Sequence, residues 1–550
     1  MAPDDDLEAG RAALTEGAWE RARAAFERAL ERVPDPEALE GLGTACAMLA
    51  DGNAAIAARE RAYALYRERG ETHAAARMAI WLAIDSLDFR YEAAVAGGWM
   101  QRAERLLEGS PPSLELGLVR TLGGHLALMA ENDCETARAR AAEGREIARL
   151  AASPELEVLS LGLEGLARVS EGDVRDGMRL LDEATVAALG GDVKDLMAVG
   201  QSCCYLIHAC ERVRDFERAG QWCERVREFC ERWRYATLFT VCRTQYASVL
   251  MHRGDWAAAE TELLAAMDEL EANRPAAIAP GIVRLAELRR RQGRRDEAAA
   301  LFERVRTHPM AVLGRGELAL DTGDARGALE LAQQALRRVP ATSRTERVAG
   351  LDLLARAAAT LSDDEAAAAA AAELEDVARV IATEPLAALA LRARGLALSR
   401  RDPSAARVAL EDAADLLERG SMPFEATHTQ LALARVLARE GRSDAARRAS
   451  EHAAALFARL GSAAGAFAGA PDADSTSAGT DAPPEPSPLT ARERDVLRLV
   501  AGGLADKEIA AKLSLSPHTI HRHVSNILSK LDLPSRAAAV ALAARLGLLE

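Results

Sequence analysis

GDWAAAETELLAA, running from Gly254 to Ala266, is the stretch whose reading decides the fold. A glycine turn is followed by Ala259, then by the bulky Leu263 four residues later, then by Ala266 three after that. At 3.6 residues per turn these positions share one helix face. The small side chains let that face nest against the preceding helix, and the large one plugs the groove toward the next pair. The same order recurs as Gly17 with Ala22, Phe26, Ala29 and Pro34, and as Gly293 with Ala298, Phe302 and Val305. It recurs again as Gly323 with Ala328, Ala332, Ala335 and Pro340. Looser copies begin at Gly98 (Ala103, Leu107), Gly172 (Gly177, Leu181, Ala184) and Gly441 (Ala446, Ala453). Trp19, Trp99 and Trp256 are read as standing just after their turns, and weaker turns are expected near Gly52, Asp133, Arg214, Asp363 and Asp402.

Spacing between turns runs from 30 to 46 residues, mostly near 40, which divides residues 1–460 into about twelve helix pairs. A chain of 550 residues that is 49% apolar but only 4% aromatic suits Ala- and Leu-rich helices rather than one large core. The small-large-small order resembles the tetratricopeptide repeat, although that repeat has a shorter period. The expected fold is all-α: a right-handed α-solenoid of helix pairs, tetratricopeptide-like, followed by a C-terminal four-helix domain. In such an array each pair contacts its neighbours and a long concave surface is left open.

That C-terminal domain is expected over residues 488–550. Thr490 and Glu493 have capping-box spacing ahead of Val496, Leu497, Leu499 and Val500. A second helix is predicted from Asp506, read as its cap, to Leu513, with Ile509, Ala510 and Leu513 inward. Ser516-Pro517 then opens a third helix reaching about Leu531, with Ile520, Val524, Ile527, Leu528 and Leu531 buried. A fourth, capped by Ser535, carries Ala539, Val540, Leu542 and Leu546. Two short helices joined by a tight turn form a helix-turn-helix. His518, Thr519, His521, Arg522, Ser525, Asn526 and Lys530 lie off the apolar stripe of the third helix, and none is acidic. Arginine can pair with a guanine edge, while serine, asparagine and histidine can meet bases or phosphates.

Leu489-Thr490-x-Arg492-Glu493, Gly503-Leu504-x-x-Lys507-Glu508-Ile509-Ala510 and Leu513-x-x-Ser516-Pro517-x-Thr519-Ile520-x-x-His523-x-x-Asn526-Ile527-x-x-Lys530-Leu531 resemble the LuxR-type helix-turn-helix of bacterial transcription regulators. The resemblance implies a third helix in the major groove, with His518, His521, Arg522 and Ser525 toward base edges. It implies Lys507, Thr519, His523, Asn526 and Lys530 near phosphates, and a dimer contact through Val540, Leu542 and Leu546 of the fourth helix. Ala505 stands where a serine cap is common in the family, and His521 where a lysine is common. The implied function is sequence-specific transcription regulation by a homodimer on double-stranded DNA, with RNA polymerase as a further contact. The repeat region would sense a small-molecule or peptide effector or dock a partner protein. A protein-interaction scaffold is the alternative.

Charge follows the same division. The chain carries 69 basic and 84 acidic residues, a net of −15. From Pro488 onward nine basic residues oppose six acidic ones, a net of +3, so residues 1–487 hold −18. The acidic bulk repels DNA, and binding must lean on the small basic module and on pairing of copies. Residues 461–487, rich in Ala, Gly, Ser, Pro and Asp, read as a flexible linker spanning on the order of 30 Å if coil-like.

No Gly-x-x-x-x-Gly-Lys-Ser/Thr occurs, so there is no nucleotide-binding loop of that type. No receiver-like pattern of acidic strand ends, signal peptide or apolar run near 18 residues is visible, which points to a cytoplasmic protein. Six of the eight cysteines, Cys203, Cys204, Cys210, Cys223, Cys230 and Cys242, fall together with His208 among them. They read as small buried apolar residues; a redox- or metal-responsive sensor is the other reading, without a Cys-x-x-Cys pair to support zinc. No catalytic constellation, cofactor or metal site is expected, and the chain is not read as an enzyme.

Overall fold

The computed structural model describes residues 3–90, 92–193, 195–233, 236–273, 278–420, 422–462, 491–501 and 504–513, together with Ile520, His523, Val524 and Ile527. These fall in two compact units, Met1–Ala473 and Asp474–Glu550.

The first unit is built of twenty-four helices among the described residues. In pairs they are α1 (Pro3–Thr15) and α2 (Trp19–Leu30), α3 (Pro36–Met48) and α4 (Gly52–Glu68), α5 (Thr72–Arg90) and α6 (Ala93–Leu106). Next come α7 (Leu114–Glu131) and α8 (Cys134–Ala151), α9 (Pro154–Glu171) and α10 (Val174–Gly190), α11 (Leu196–Val213) and α12 (Phe216–Trp233). Then follow α13 (Ala236–Arg253) and α14 (Trp256–Asn273), α15 (Ala279–Arg291) and α16 (Arg295–Arg304), α17 (Pro309–Asp321) and α18 (Ala325–Arg337). The last are α19 (Arg344–Leu361) and α20 (Asp364–Ile381), α21 (Glu384–Leu398) and α22 (Pro403–Arg419), α23 (Pro423–Arg439) and α24 (Ser443–Leu460).

The repeat positions pack as their chemistry demands. Ala22, Phe26, Ala259, Leu263, Ala266, Ala298, Phe302, Ala328 and Ala332 are all buried. Phe26 sits between two glycines: a Cβ on Gly10 or Gly41 would lie within 2.5 and 2.3 Å of its ring. Gly314 makes the same room for Phe302. Gly17, Gly172, Gly254, Gly293, Gly323 and Gly441 all have positive φ, the left-handed conformation that ends a helix and that glycine adopts without strain. The weak turns are weak because they lack that glycine. Ala50, Asn132, Arg214 and Ser362 occupy the left-handed position there, and Asp51, Asp133, Asp363 and Asp402 cap the helices that follow. Two expectations fail. Gly98 is no turn but lies inside α6, where nothing distorts the backbone, and Trp99 is therefore mid-helix, whereas Trp19 and Trp256 do open their helices.

A larger difference concerns the array itself. Its pairs do not contact neighbours alone. One continuous apolar cluster joins Leu128, Leu163, Leu206 and Val249 to Val348, Leu374, Leu389 and Ala426. Hydrogen bonds cross the same seam: Ser343 Oγ donates to the Asn132 carbonyl at 2.7 Å, and Arg344 to that of Glu171 at 3.0 Å. Ion pairs Arg212–Glu346 and Arg291–Glu425 cross it too. The helices from α19 onward thus return onto α8–α15. Alanine makes this close approach feasible, since Ala355, Ala358, Ala370, Ala388 and Ala393 within that cluster keep its helices thin.

The second unit shows α25 (Ala491–Ala501) and α26 (Asp506–Leu513). Val496, Leu497, Val500, Ile509, Ala510, Ile520, Val524 and Ile527 form one core, with Leu499, Leu504 and Leu513 at its margin. The spacing of Ile520, Val524 and Ile527 is that of one helix face. Leu528, Leu531, the fourth helix and the expected linker beyond Ser462 lie outside the described residues.

Candidate nucleic-acid interface and the interior of the array

In the C-terminal unit α26 begins at Asp506, so Asp506 is the first helical residue and not the cap. Ala505 holds the cap position: its carbonyl accepts from the amides of Glu508 and Ile509 at 2.9 and 3.0 Å. With no side-chain oxygen at residue 505, the exchange runs one way, and Glu508 reaches back to accept from the Ala505 amide at 2.7 Å. This is half of a capping box. It also draws a carboxylate toward the helix N-terminus, where the macrodipole favours it. Lys507, one position earlier, is exposed and available to an external anion.

His523 differs from its expected place. It is 2% exposed, alongside Ile520 and Val524 on the buried side of the third helix, and not on the outward surface. Phe or Tyr would have signalled such a core position; histidine, being polar, disguised it. His518, Thr519, His521, Arg522, Ser525, Asn526, Lys530, Val540, Leu542 and Leu546 lie outside the described residues.

The cysteine cluster is in the interior of the array. Cys203, Cys210, Cys223 and Cys230 are buried among Val199, Ile207 and Val226 or their neighbours. Burial pushes the Cys223 and Cys230 thiols up to about 12 and those of Cys203 and Cys210 well above their usual range. Thiols so disposed are poor nucleophiles and poor metal ligands. No group of three His, Cys, Asp or Glu suited to a metal occurs among the described residues. The side chain of Cys242 lies outside them.

Sequence reading missed a dense charged cluster. The alternating helices α11 to α23 turn their inner faces toward a cavity of about 240 Å³. Arg290 pairs with Glu287 at 2.8 Å and with Asp321; Arg356 pairs with Asp352 at 2.9 Å and with Glu317; Arg392 reaches Asp352 at 2.6 Å. Burial opposes the charge on Glu287 and Asp352, yet the arginines hold both well below the carboxylate range. Asp321 goes the other way: burial, with Glu317 nearby, outweighs Arg290 and pushes it up to about 6. The available signal was Arg284, Glu287, Arg289, Arg290 and Arg291 crowded on one short helix, a pattern that reads as a solvated face until the chain closes around it. No helix among the described residues is long and apolar enough to cross a membrane.

Residues 487–543 match the family model described as bacterial regulatory proteins, luxR family. Over 59 residues the chain is 51% identical to a protein of Mycobacterium tuberculosis described as an HTH-type transcriptional regulator, a match covering 11% of this chain and 7% of that one. It is 59% identical over 44 residues to the transcriptional regulatory protein UhpA of Salmonella typhimurium, covering 8% of this chain and 22% of that one. Only a small part of each relative is therefore spanned. Among solved structures, the APC/C hetero-tetramer Cut9-Hcn1 is similar at a TM-score of 0.46 and 15% identity, covering 83% of this chain and 87% of that one. A Rap protein complexed with competence and sporulation factor follows at 0.44 and 12%, covering 69% and 98%. The C-terminal segment is a LuxR-type helix-turn-helix domain, and the chain joins it to a tetratricopeptide-like helical array.

Proposed function

We propose that the chain is a cytoplasmic, sequence-specific transcription regulator that binds double-stranded DNA as a homodimer and whose array senses an effector or docks a partner protein. The observation that carries this is the luxR-family match over residues 487–543, joined to a core that buries Ile520, Val524 and Ile527. With that face inward, the polar positions between them are left for DNA. His518, His521, Arg522 and Ser525 would read base edges; Lys507, Thr519, Asn526 and Lys530 would meet phosphates. His523, being buried, is left out of the contact set. Val540, Leu542 and Leu546 would form the dimer seam, giving two half-sites about one helical turn apart. RNA polymerase is a further partner in this reading, and no step of it calls for catalysis.

The test is selection of bound genomic fragments by the full chain, followed by two variants on the selected site. Arg522→Ala should lose about 1–3 kcal/mol of discrimination, because a bidentate guanine contact is worth that much. Lys507→Ala should weaken all sequences alike and make the salt dependence shallower by about one unit. If Arg522→Ala keeps the parent's preferred sequence and affinity, the reading of the third helix is wrong.

A further inference from the structure

Three groups lining the central cavity are left wholly or partly unmatched by its ion-pair network. Arg214 ends α11 with φ of 59°, a left-handed conformation filled by glycine at the corresponding turns Gly172, Gly254 and Gly293. A side-chain-bearing residue is disfavoured there, so the position carries a guanidinium against the preference of its backbone. That guanidinium lines the cavity, and no hydrogen bond or ion pair joins it to another described residue. Burial lowers its pKa; Glu425 and Asp352 offset this in part, while Arg392 and Arg291 add to it.

Arg291 is the second. Its Nε donates to Glu287 at 2.8 Å and its Nη2 to Glu425 at 3.0 Å, but its Nη1 is buried without a partner. Glu425 is the third: its Oε2 is buried and accepts from nothing. Leaving the buried atoms of Arg291 and Glu425 unmatched costs free energy, and all three groups line one cavity. Phe302, Phe424, Val283 and Met251 supply apolar walls between them.

The guanidiniums of Arg214 and Arg291, both lining the cavity with donors left over, call for an acceptor with negative charge and a planar or forked shape; Arg284 and Arg392 on the same lining each also leave a buried Nε unpartnered. One free carboxylate oxygen beside them calls for a donor on the same molecule. A volume of about 240 Å³ is slightly below the roughly 300–1,000 Å³ of ordinary small-molecule pockets. A peptide of several residues is too large for it.

We propose that this cavity is an effector site for a small carboxylate-bearing molecule, its carboxylate on Arg214 and Arg291 and a hydrogen-bond donor, such as an ammonium or hydroxyl, on Glu425. The proposal rests on reading the array as the sensing half of the chain. Binding there would act on the seam between superhelical turns, because Arg291 and Glu425 sit on α15 and α23 and join those turns. A ligand that bridges the same helices favours the closed arrangement over one in which they separate.

Calorimetric titration of the full chain with glutamate, succinate, inorganic phosphate and the uncharged succinamide tests this, with Arg214→Gly run in parallel. Glycine takes the left-handed turn without strain, so the variant should fold and melt no lower than the parent. Glutamate or succinate should bind the parent and succinamide should not. Arg214→Gly should weaken that binding about tenfold or more, the loss expected for a charge-assisted hydrogen bond. Phosphate binding without carboxylate binding, no binding by any of the four, or equal binding by the folded variant overturns the proposal. Footprinting on the selected DNA, with and without the bound carboxylate, separates the two claims. Unchanged protection with binding intact upholds the site and refutes the sensing role.

Discussion

Replacing Glu425 with alanine should loosen two regions of the array that are far apart in sequence. Its carboxylate lies 3.0 Å from Arg291, and the two side chains are 9% and 6% exposed. Burial alone would raise the Glu425 pKa, but Arg291, His252 and Arg214 outweigh it and keep the group ionised below its usual range. Alanine leaves Arg291 sharing Glu287 with Arg290, in a cavity already rich in arginine. Removing one member of a buried pair costs about 3–5 kcal/mol, several times the value of an exposed pair. Exchanging both members, Arg291→Met with Glu425→Leu, removes the stranded charge and should recover most of the loss. Long arrays need not unfold in one step, so amide exchange read by mass spectrometry is the direct assay. Faster exchange is expected in α15 as well as in α23 and its neighbours. A loss near 0.5 kcal/mol, or loosening confined to α22–α24, would refute turn-to-turn closure and restore an array coupled only through neighbours.

Gly41→Ala should destabilise the first pairs by about 1–3 kcal/mol in urea unfolding, because its Cβ would lie 2.3 Å from Phe26, a fully buried ring, and overpacking outweighs the helix-propensity gain; no loss would mean the ring is free to swing. Stability should also fall on acidification below pH 6.5. Burial lowers His125, His208 and His252 to about 4, so between about 4 and 6.5 the unfolded chain binds more protons, and each imidazole contributes roughly 1–3 kcal/mol that is complete above pH 6.5 and gone by pH 4. Asp321, raised to about 6, acts in the opposite sense between pH 6 and its usual value, cancelling part of the effect. A urea midpoint that stays level from pH 7 to 5 would contradict this. Ala505→Ser should stabilise α26 by about 0.5–2 kcal/mol by completing the capping box that Glu508 begins, visible as slower amide exchange over residues 506–513; unchanged exchange would show that the cap position is misassigned.

Local features of this chain were legible because they depend on local rules. Turn glycines, aspartate caps and the alternation of small and large side chains obey backbone sterics and helical period, so Ala22, Phe26 and Ala29, or Ala259, Leu263 and Ala266, declared a helix pair by themselves. The apolar stripe of Ile520, Val524 and Ile527 was legible for the same reason. Gly98 misled, since a glycine inside a helix and one at a turn are the same letter. What the tertiary structure decided was every contact between distant parts of the array. The superhelical path accumulates small rotations from pair to pair, and no single repeat carries their sum. Whether α19 meets α9 and α11, and whether Arg291 finds Glu425, depends on that sum. The charged residues of α15 look like solvent-facing positions in sequence, because charge is cheapest in water. Only closure of the turns around them made them an interior, and left Arg214 facing a cavity with no partner of its own.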